Sequence, residues 1–295
     1  MTLLKRTLAA LGGLLLCLVV VAGVAVWWNN RAVPAPDEAA LAASLERRIA
    51  WLDTGAGEIL REPNPMLWWM VREAARRTDD SRLSQLFARY EGQYLTHGGN
   101  MWAHLFDEGS TAPIRYMEVE RLPYYNQYFL YALPCDKLLG AQELIRRQDQ
   151  PDFCDHGRYR FMPACVTHQL VGLRFLQHRQ CGDQAAVRSA IAQLQRKLEG
   201  QLTWDVRVVD VYIQRVLMLA ESGAAERIKP IWLRRVLDAQ MSDGGWSGTR
   251  PIVAAGLATP LCFTQSGVAF TVPRSTFHAT AQGVLLTSLL LENGH

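Results

Sequence analysis

The sequence predicts an all-α protein, an α/α toroid of about five helical hairpins behind one N-terminal transmembrane helix. Residues 8–28 form a run of 21 residues without a charge. Behind this run, amphipathic and almost wholly apolar helical segments alternate along the chain. Asn126, His168 and Asp210 recur at intervals of 42 residues near the starts of the apolar segments. A fixed period of this size is typical of stacked helical hairpins.

The N-terminal run has the features of a membrane anchor. Its length is enough to cross a bilayer core as a helix. Lys5 and Arg6 precede it, and Trp27 and Trp28 close it. Basic residues before a span favour a cytoplasmic N-terminus, and tryptophans favour the opposite interface. We therefore expect a single-pass protein of the inner, or cytoplasmic, membrane whose C-terminal domain lies outside the cytoplasm, with the membrane as its first partner.

A cleaved signal peptide is the alternative interpretation of the same run. Gly23-Val24-Ala25 supplies small residues that suit cleavage. The apolar run is, however, longer than the usual apolar region of a signal peptide, about 7–15 residues. On the anchor interpretation, residues 1–31 are the anchor, residues 32–36 a short stiff linker with two prolines, and residues 37–295 one extracytoplasmic domain. The net charge of +3 indicates no nucleic-acid partner.

The sequence predicts ten helices after the anchor, in two classes. Helices with one polar face belong at the surface, and helices that are apolar all round belong in the core. The sequence predicts polar-faced helices at about 39–52, 82–95, 138–148, 185–200 and 228–240. It predicts inner helices at the segment opened by Asn64-Pro65 and at about 121–134, 163–178, 205–221 and 275–292. Asparagine before proline is typical of a helix start.

Two long connections interrupt the regular hairpins, at 96–116 and 247–274. Long connections inside a compact domain are often functional. Each therefore contains a lid candidate. The first is His104 with Asp107 and Glu108, and the second is the loop around Cys262 and Phe263.

Five cysteines follow the anchor, and an oxidising compartment favours their pairing. We expect at least one disulfide among Cys135, Cys154, Cys165 and Cys181. The alternative is a zinc site that uses Cys154 and His156 with Cys165 or His168, since such residues are zinc ligands. Their spacing fits no tight ligand motif, so we predict neither a metal nor another cofactor.

The segment Gln240–Trp246, with the sequence QMSDGGW, contains the clearest motif. It resembles the second half of the glutamine–tryptophan repeat of terpenoid cyclases and prenyltransferase-like toroids. The resemblance implies a toroid in which glutamine ends an outer helix and a Gly-x-Trp turn leads to the next inner helix. Arg235 and Val236 replace the upstream half of the repeat, and the chain has no DxDD-type acid cluster. The resemblance therefore implies the fold rather than cyclase chemistry.

The predicted site lies where the inner helices begin. In a toroid these helices run parallel, so their N-termini share one end and favour anionic groups there, such as acidic sugars or phosphates. A histidine near a carboxylate moves protons at neutral pH. We predict His168 and His278 as proton carriers and Asp210 as their charged or orienting partner. The predicted ligand contacts are Tyr124, Tyr125, Asn126 and Glu120. The structural alternative is that these residues are helix caps or buried polar groups.

Three functions fit this arrangement. The first is binding or processing of an envelope glycan or similar polymer, for which aromatic and acidic side chains are suited. The second is a non-catalytic scaffold that binds a peptide or protein. The third is isoprenoid or lipid processing, which only the partial glutamine–tryptophan motif suggests. The sequence leaves open whether the protein is an enzyme.

Overall fold

A computed structural model describes residues 2–96, 99–252, 258–292 and 294, without the side chains of residues 2–6 and 9. The described chain is mostly helical, as predicted. Its α-helices are α1 Thr2–Asn30, α2 Glu38–Thr54, α3 Ala56–Ile59, α4 Pro65–Thr78, α5 Ser81–Tyr94, α6 Ala103–Phe106, α7 Tyr116–Val119, α8 Tyr124–Ala132, α9 Lys137–Gly140, α10 Glu143–Gln148, α11 Cys165–His178, α12 Gln184–Trp204, α13 Asp210–Glu221, α14 Pro230–Asp238 and α15 Phe277–Glu292.

Short polar caps start several of these helices where the sequence predicts them. The Asn64 side chain accepts a hydrogen bond from the Met66 backbone N–H at 3.1 Å, directly before the proline that opens α4. The Asp80 carboxylate accepts from the backbone N–H of Arg82 at 2.8 Å and starts α5. Such side chains satisfy N–H groups that have no partner within the helix. The predicted starts of these two helices are confirmed.

The apolar helices form the core. In α15, every residue from Ala279 to Leu290 is buried, and the helix packs against α4, α13 and α2. Helix α11 packs against α8, α12 and α13 in the same way. The polar-faced helices α2, α5 and α12 bury only one stripe each. The predicted classes are therefore confirmed for the surface helices α2, α5 and α12 and for the core helices α11, α13 and α15.

Some predicted boundaries differ from the observed ones. Helix α8 begins at Tyr124, because Pro123 is its cap and the residue before a proline disfavours helical geometry. The predicted helix at 138–148 is broken into α9 and α10. The connection at 247–274 contains an antiparallel sheet that was not predicted, with strands β1 Arg250–Pro251, β2 Leu261–Phe263 and β3 Val268–Phe270 in the order β1-β2-β3. Strands of two or three residues are too short to show a period.

Two disulfides brace the domain, which confirms the cysteine prediction. Cys135 after α8 pairs with Cys181 before α12, and Cys154 pairs with Cys165 at the start of α11. The second bond uses the sulfur of Cys154, which every form of the zinc alternative needs, so that alternative is wrong. Cys262 is a buried free thiol in β2.

The Gln240–Trp246 segment fixes the end of α14 to its neighbours. The indole N–H of Trp246 donates to the Val236 carbonyl at 2.8 Å, and the Arg48 guanidinium lies 3.7 Å above the indole ring. Gly283 on α15 leaves room for this ring, since a Cβ there would lie 2.5 Å from it. The segment therefore ties the end of α14 to α2 and α15.

Helix α1 is long and apolar enough to cross a membrane over residues 10–30, by length and composition. Its C-terminal end is joined to the domain. The Asn29 side chain donates to the Leu202 carbonyl at 2.7 Å, and the Trp232 indole donates to the Asn29 carbonyl at 3.0 Å. The Arg234 guanidinium donates to the Pro34 carbonyl at 2.5 Å. The predicted linker at 32–36 therefore lies against the domain surface.

Candidate functional site

One cleft of about 790 Å³ lies where five core helices begin. Residues near the start of each helix line it: Met66 of α4, Tyr125 of α8, His168 of α11, Gln214 of α13 and His278 of α15. The N-terminal halves of these five helices therefore meet at one place. Such helix ends carry partial positive charge and favour an anionic ligand group.

His168 is enclosed at the cleft wall. Its imidazole stacks on the Tyr125 ring, with ring centroids 4.0 Å apart and planes 25° apart. The Phe129 ring lies edge-on to the imidazole, with ring centroids 6.4 Å apart and planes 76° apart. Burial, with a smaller contribution from the charge of His278, lowers the pKa of His168 to about 4. The imidazole is therefore neutral at neutral pH and offers one donor and one acceptor nitrogen.

His278 and Asp210 form the second part of the site. The Nδ1 atom of His278 lies 3.5 Å from Oδ2 of Asp210, on the first turns of α15 and α13. The other Asp210 oxygen accepts from the Val211 backbone N–H at 2.8 Å, which fixes the carboxylate. The His278 side chain is 45% exposed, whereas Asp210 is only 17% exposed. A half-exposed imidazole beside a fixed carboxylate is suited to proton transfer.

The sequence analysis missed two buried amides beside these residues. Gln214 lines the cleft one helical turn after Asp210, and its Oε1 lies 2.9 Å from the Thr167 hydroxyl. Gln282 lies one turn after His278, with its Nε2 3.5 Å from Nδ1 of that histidine. The Oε1 of Gln282 is buried, and no described residue bonds to it. Polar residues four apart on otherwise apolar helices were the signal that would have identified both.

All four predicted ligand contacts line the cleft, but they differ in exposure. Tyr124 is mostly buried, with its ring 4.9 Å from the Tyr159 ring and 5.3 Å from the Tyr125 ring. Burial raises the pKa of Tyr124, so its phenol stays protonated. Asn126 is half-buried and has no side-chain hydrogen bond to any described residue, while Glu120 is exposed on the rim. Asn126 and Glu120 are therefore the more available contacts.

The two lid candidates lie in different places. Gln265 and Ser266, in the turn between β2 and β3, line the cleft, so the second candidate borders it. The first candidate does not cover it. His104 is buried with its Nε2 2.8 Å from the Ala112 carbonyl, and Glu108 pairs with His178 at 2.7 Å. His178 ends α11, so Glu108 lies at the opposite end of that helix from the cleft.

Among the described residues, no group of three His, Cys, Asp or Glu side chains is arranged to hold a metal ion. Comparison of the chain with protein-family models, curated protein sequences and solved structures finds no match in any of the three. The functional argument therefore rests on the geometry of the cleft.

Proposed function

We propose that this protein is a membrane-anchored α/α toroid of the extracytoplasmic side that binds or processes an envelope glycan or similar polymer in the cleft. One observation carries the proposal: His278, which pairs with Asp210 at 3.5 Å, lines a cleft whose wall also contains the neutral His168. The sequence suggested these three residues by their positions near the starts of predicted inner helices, and they lie on three different helices.

The chemistry follows from the two histidines. The Asp210 carboxylate lies 3.5 Å from Nδ1 of His278 and can orient this imidazole, which in the proposed reaction accepts a proton from a hydroxyl group and returns it. His168 remains neutral and supplies a hydrogen bond within the enclosed wall. Asn126, Gln214 and Glu120 offer further hydrogen-bonding groups of the kind that recognise sugar hydroxyls.

The toroid is part of the proposal. Helix α15 packs against both α4 and α13, and α11 packs against both α8 and α13. These contacts join the five core helices in the order α8, α11, α13, α15 and α4, as an open ring requires. The shared cleft at the helix starts supports the same arrangement. The anchor in the inner membrane and the extracytoplasmic domain are supported by the apolar α1 and by two disulfides, which are typical of oxidising compartments.

The test replaces the three residues singly: Asp210→Asn, His278→Gln and His168→Gln. Each variant is assayed for complementation in a strain that lacks the gene, and its fold is checked by circular dichroism. We expect loss of complementation in folded protein. His156→Gln is the matched control, because His156 also pairs with an aspartate, Asp152 at 3.0 Å, but lies outside the cleft. Full complementation by all three cleft variants would refute the proposal.

Isoprenoid or lipid processing is the second candidate, and the apolar wall of the cleft favours it. Met66, Leu67, Met70, Phe129 and Val171 line this wall. Farnesyl phosphate and a soluble peptidoglycan fragment distinguish the candidates in a binding assay on the purified full-length protein. Saturable binding of the fragment that His278→Gln weakens supports the glycan function. Binding of farnesyl phosphate alone favours the lipid function, and loss of complementation without binding of either supports the peptide-binding scaffold.

A further inference from the structure

Three large exposed apolar side chains line the cleft or the groove beside it: Phe161, Met162 and Trp204. Ten such residues lie outside α1 among the described residues. The other seven line neither the cleft nor this groove: Tyr116, Met117, Leu138, Ile252, Val268, Phe270 and Val272.

The end of the anchor lies beside one of the three residues that line the cleft or the groove, Trp204. The Asn30 side chain donates to the Thr203 carbonyl at 2.9 Å, and the Asn29 side chain also reaches this carbonyl at 3.2 Å. The next residue is Trp204, whose exposed fraction is 72%. Trp27 and Trp28, which close the apolar run, precede Asn29 directly and are exposed as well. Trp204 therefore lies next to the C-terminal end of α1, where the apolar run ends.

A continuous surface leads from Trp204 to the cleft. Trp204 and Met162 line the same groove, together with the exposed Arg160. Met162 and Phe161 line the cleft itself, and Phe161 is 81% exposed. We call Phe161, Met162 and Trp204 the membrane face. Tryptophan and arginine are the side chains that favour the boundary between headgroups and hydrocarbon.

We propose that the membrane face lies in the extracytoplasmic interface of the bilayer that α1 spans, so that the cleft opens at the membrane surface. The inference rests on the anchor in the proposed function. The bilayer is the occupant because α1 already holds it next to Trp204, and the face continues from that point. The cleft then takes a ligand that is attached to, or adsorbed on, the membrane.

Site-directed spin labelling of the full-length protein tests this arrangement. Single cysteines are introduced as Phe161→Cys and Trp204→Cys in a Cys17→Ser background, since Cys17 is the exposed free thiol and Cys262 is buried. Labelled protein is reconstituted in vesicles of phosphatidylethanolamine and phosphatidylglycerol. Collision of the label with oxygen, which concentrates in the bilayer, is compared with collision with a water-soluble nickel chelate. Circular dichroism confirms that each variant is folded.

Two further positions serve as references. Val20→Cys in α1 reports whether the anchor lies in the bilayer. Leu138→Cys places the label at an exposed apolar residue that is not part of the membrane face, since 65% of Leu138 is exposed. We expect the oxygen-to-nickel collision ratio at 161 and 204 to exceed that at 138 severalfold. If the label at 20 is in the bilayer and those at 161 and 204 match 138, the membrane face is refuted while the anchor stands. If the label at 20 is in water, the anchor and this inference both fail.

Discussion

The imidazole of His168 stacks on the phenol ring of Tyr125, with 4.0 Å between the ring centroids. Tyr125 is in the first turn of α8 and His168 is in the first turn of α11, and these two helices pack directly against each other. The stacking shields one face of the imidazole from water. Enclosure of this kind disfavours the charged form of a histidine, which explains why its pKa falls to about 4.

The first prediction concerns acid stability. In the unfolded chain a histidine has a pKa of about 6.5, so the unfolded state binds a proton before folded His168 does. The contribution of the neutral His168 to the free energy of unfolding is therefore complete above a pH of about 6.5. It is lost as the pH falls toward 4. Between pH 7 and pH 5 the loss is about 2 kcal/mol. The free energy of unfolding is measured with guanidinium in detergent at both pH values. In His168→Gln, this loss between pH 7 and pH 5 should be absent.

The control for acid stability is His156→Gln, whose ring is exposed in the native protein. It should keep the pH dependence of the parent. An unchanged pH dependence in His168→Gln would show that the imidazole is not held neutral by burial.

The second prediction concerns the close approach of α11 to α8. A Cβ on Gly172 would lie 2.2 Å from Cδ1 of the fully buried Tyr128, whose hydroxyl donates to Asp149 at 2.7 Å. The tyrosine is held at both ends, so it has little room to move. Gly172→Ala should lower the free energy of unfolding by about 1–3 kcal/mol, the usual cost of overpacking.

Gly92→Ala is the matched control for this substitution. Gly92 is also inside a helix, but a Cβ there would lie more than 4 Å from every described side chain beyond its two chain neighbours. The substitution should raise the free energy of unfolding by about 0.5–1 kcal/mol, because alanine loses less backbone entropy than glycine. A rise in the free energy of unfolding at both positions would mean that helix propensity, rather than the contact with Tyr128, decides the result.

The fold was predictable where a local rule and burial agree. Asn64 and Asp80 cap helices because their side chains reach free N–H groups, whatever the tertiary structure. Helix α15 was predictable because an apolar segment of that length has to be removed from water, in a protein core or in a membrane. The small sheet was not, because strands of two or three residues depend on contacts with each other rather than on a local pattern.

The candidate site was predictable from a different signal, the recurrence of polar residues at helix starts. That signal placed His168 and His278 at one cleft, because helix starts meet there. It could not show that Tyr124 is mostly buried, since this depends on Tyr159 from a separate segment. It also missed Gln214, which lies beyond the first turn of α13 and was interpreted as part of an apolar helix.

The third prediction compares the two disulfides. Cys135 and Cys181 are 46 residues apart, whereas Cys154 and Cys165 are 11 apart. A longer closed loop restricts the unfolded chain more, so loss of the first bond should cost about 4 kcal/mol and loss of the second about 3 kcal/mol. Paired serine variants, Cys135→Ser/Cys181→Ser and Cys154→Ser/Cys165→Ser, are compared by guanidinium unfolding. A larger loss from the shorter loop would show that native packing around Cys154 outweighs chain entropy.

The last prediction concerns the buried ion pair that holds the chain just before Asp210. Arg215 of α13 contacts Asp205 at 2.6 Å, and both side chains are 6% exposed. Arg215 also donates to the Pro163 carbonyl at 3.2 Å, and Pro163 lines the cleft. The pair thus connects the segment before α13 to the wall of the cleft. Removal of one partner leaves a buried charge without compensation.

We expect Asp205→Asn to lower the free energy of unfolding by about 3–5 kcal/mol. The double variant Asp205→Asn/Arg215→Met should be more stable than this single variant, because methionine fills much of the space without a charge. Arg207→Ala is the control, since Arg207 contacts the same carboxylate at 2.8 Å but is 26% exposed, and its loss should cost about 1 kcal/mol or less. If the double variant is the less stable of the two, Arg215 stabilises the cleft wall through the Pro163 carbonyl rather than through Asp205.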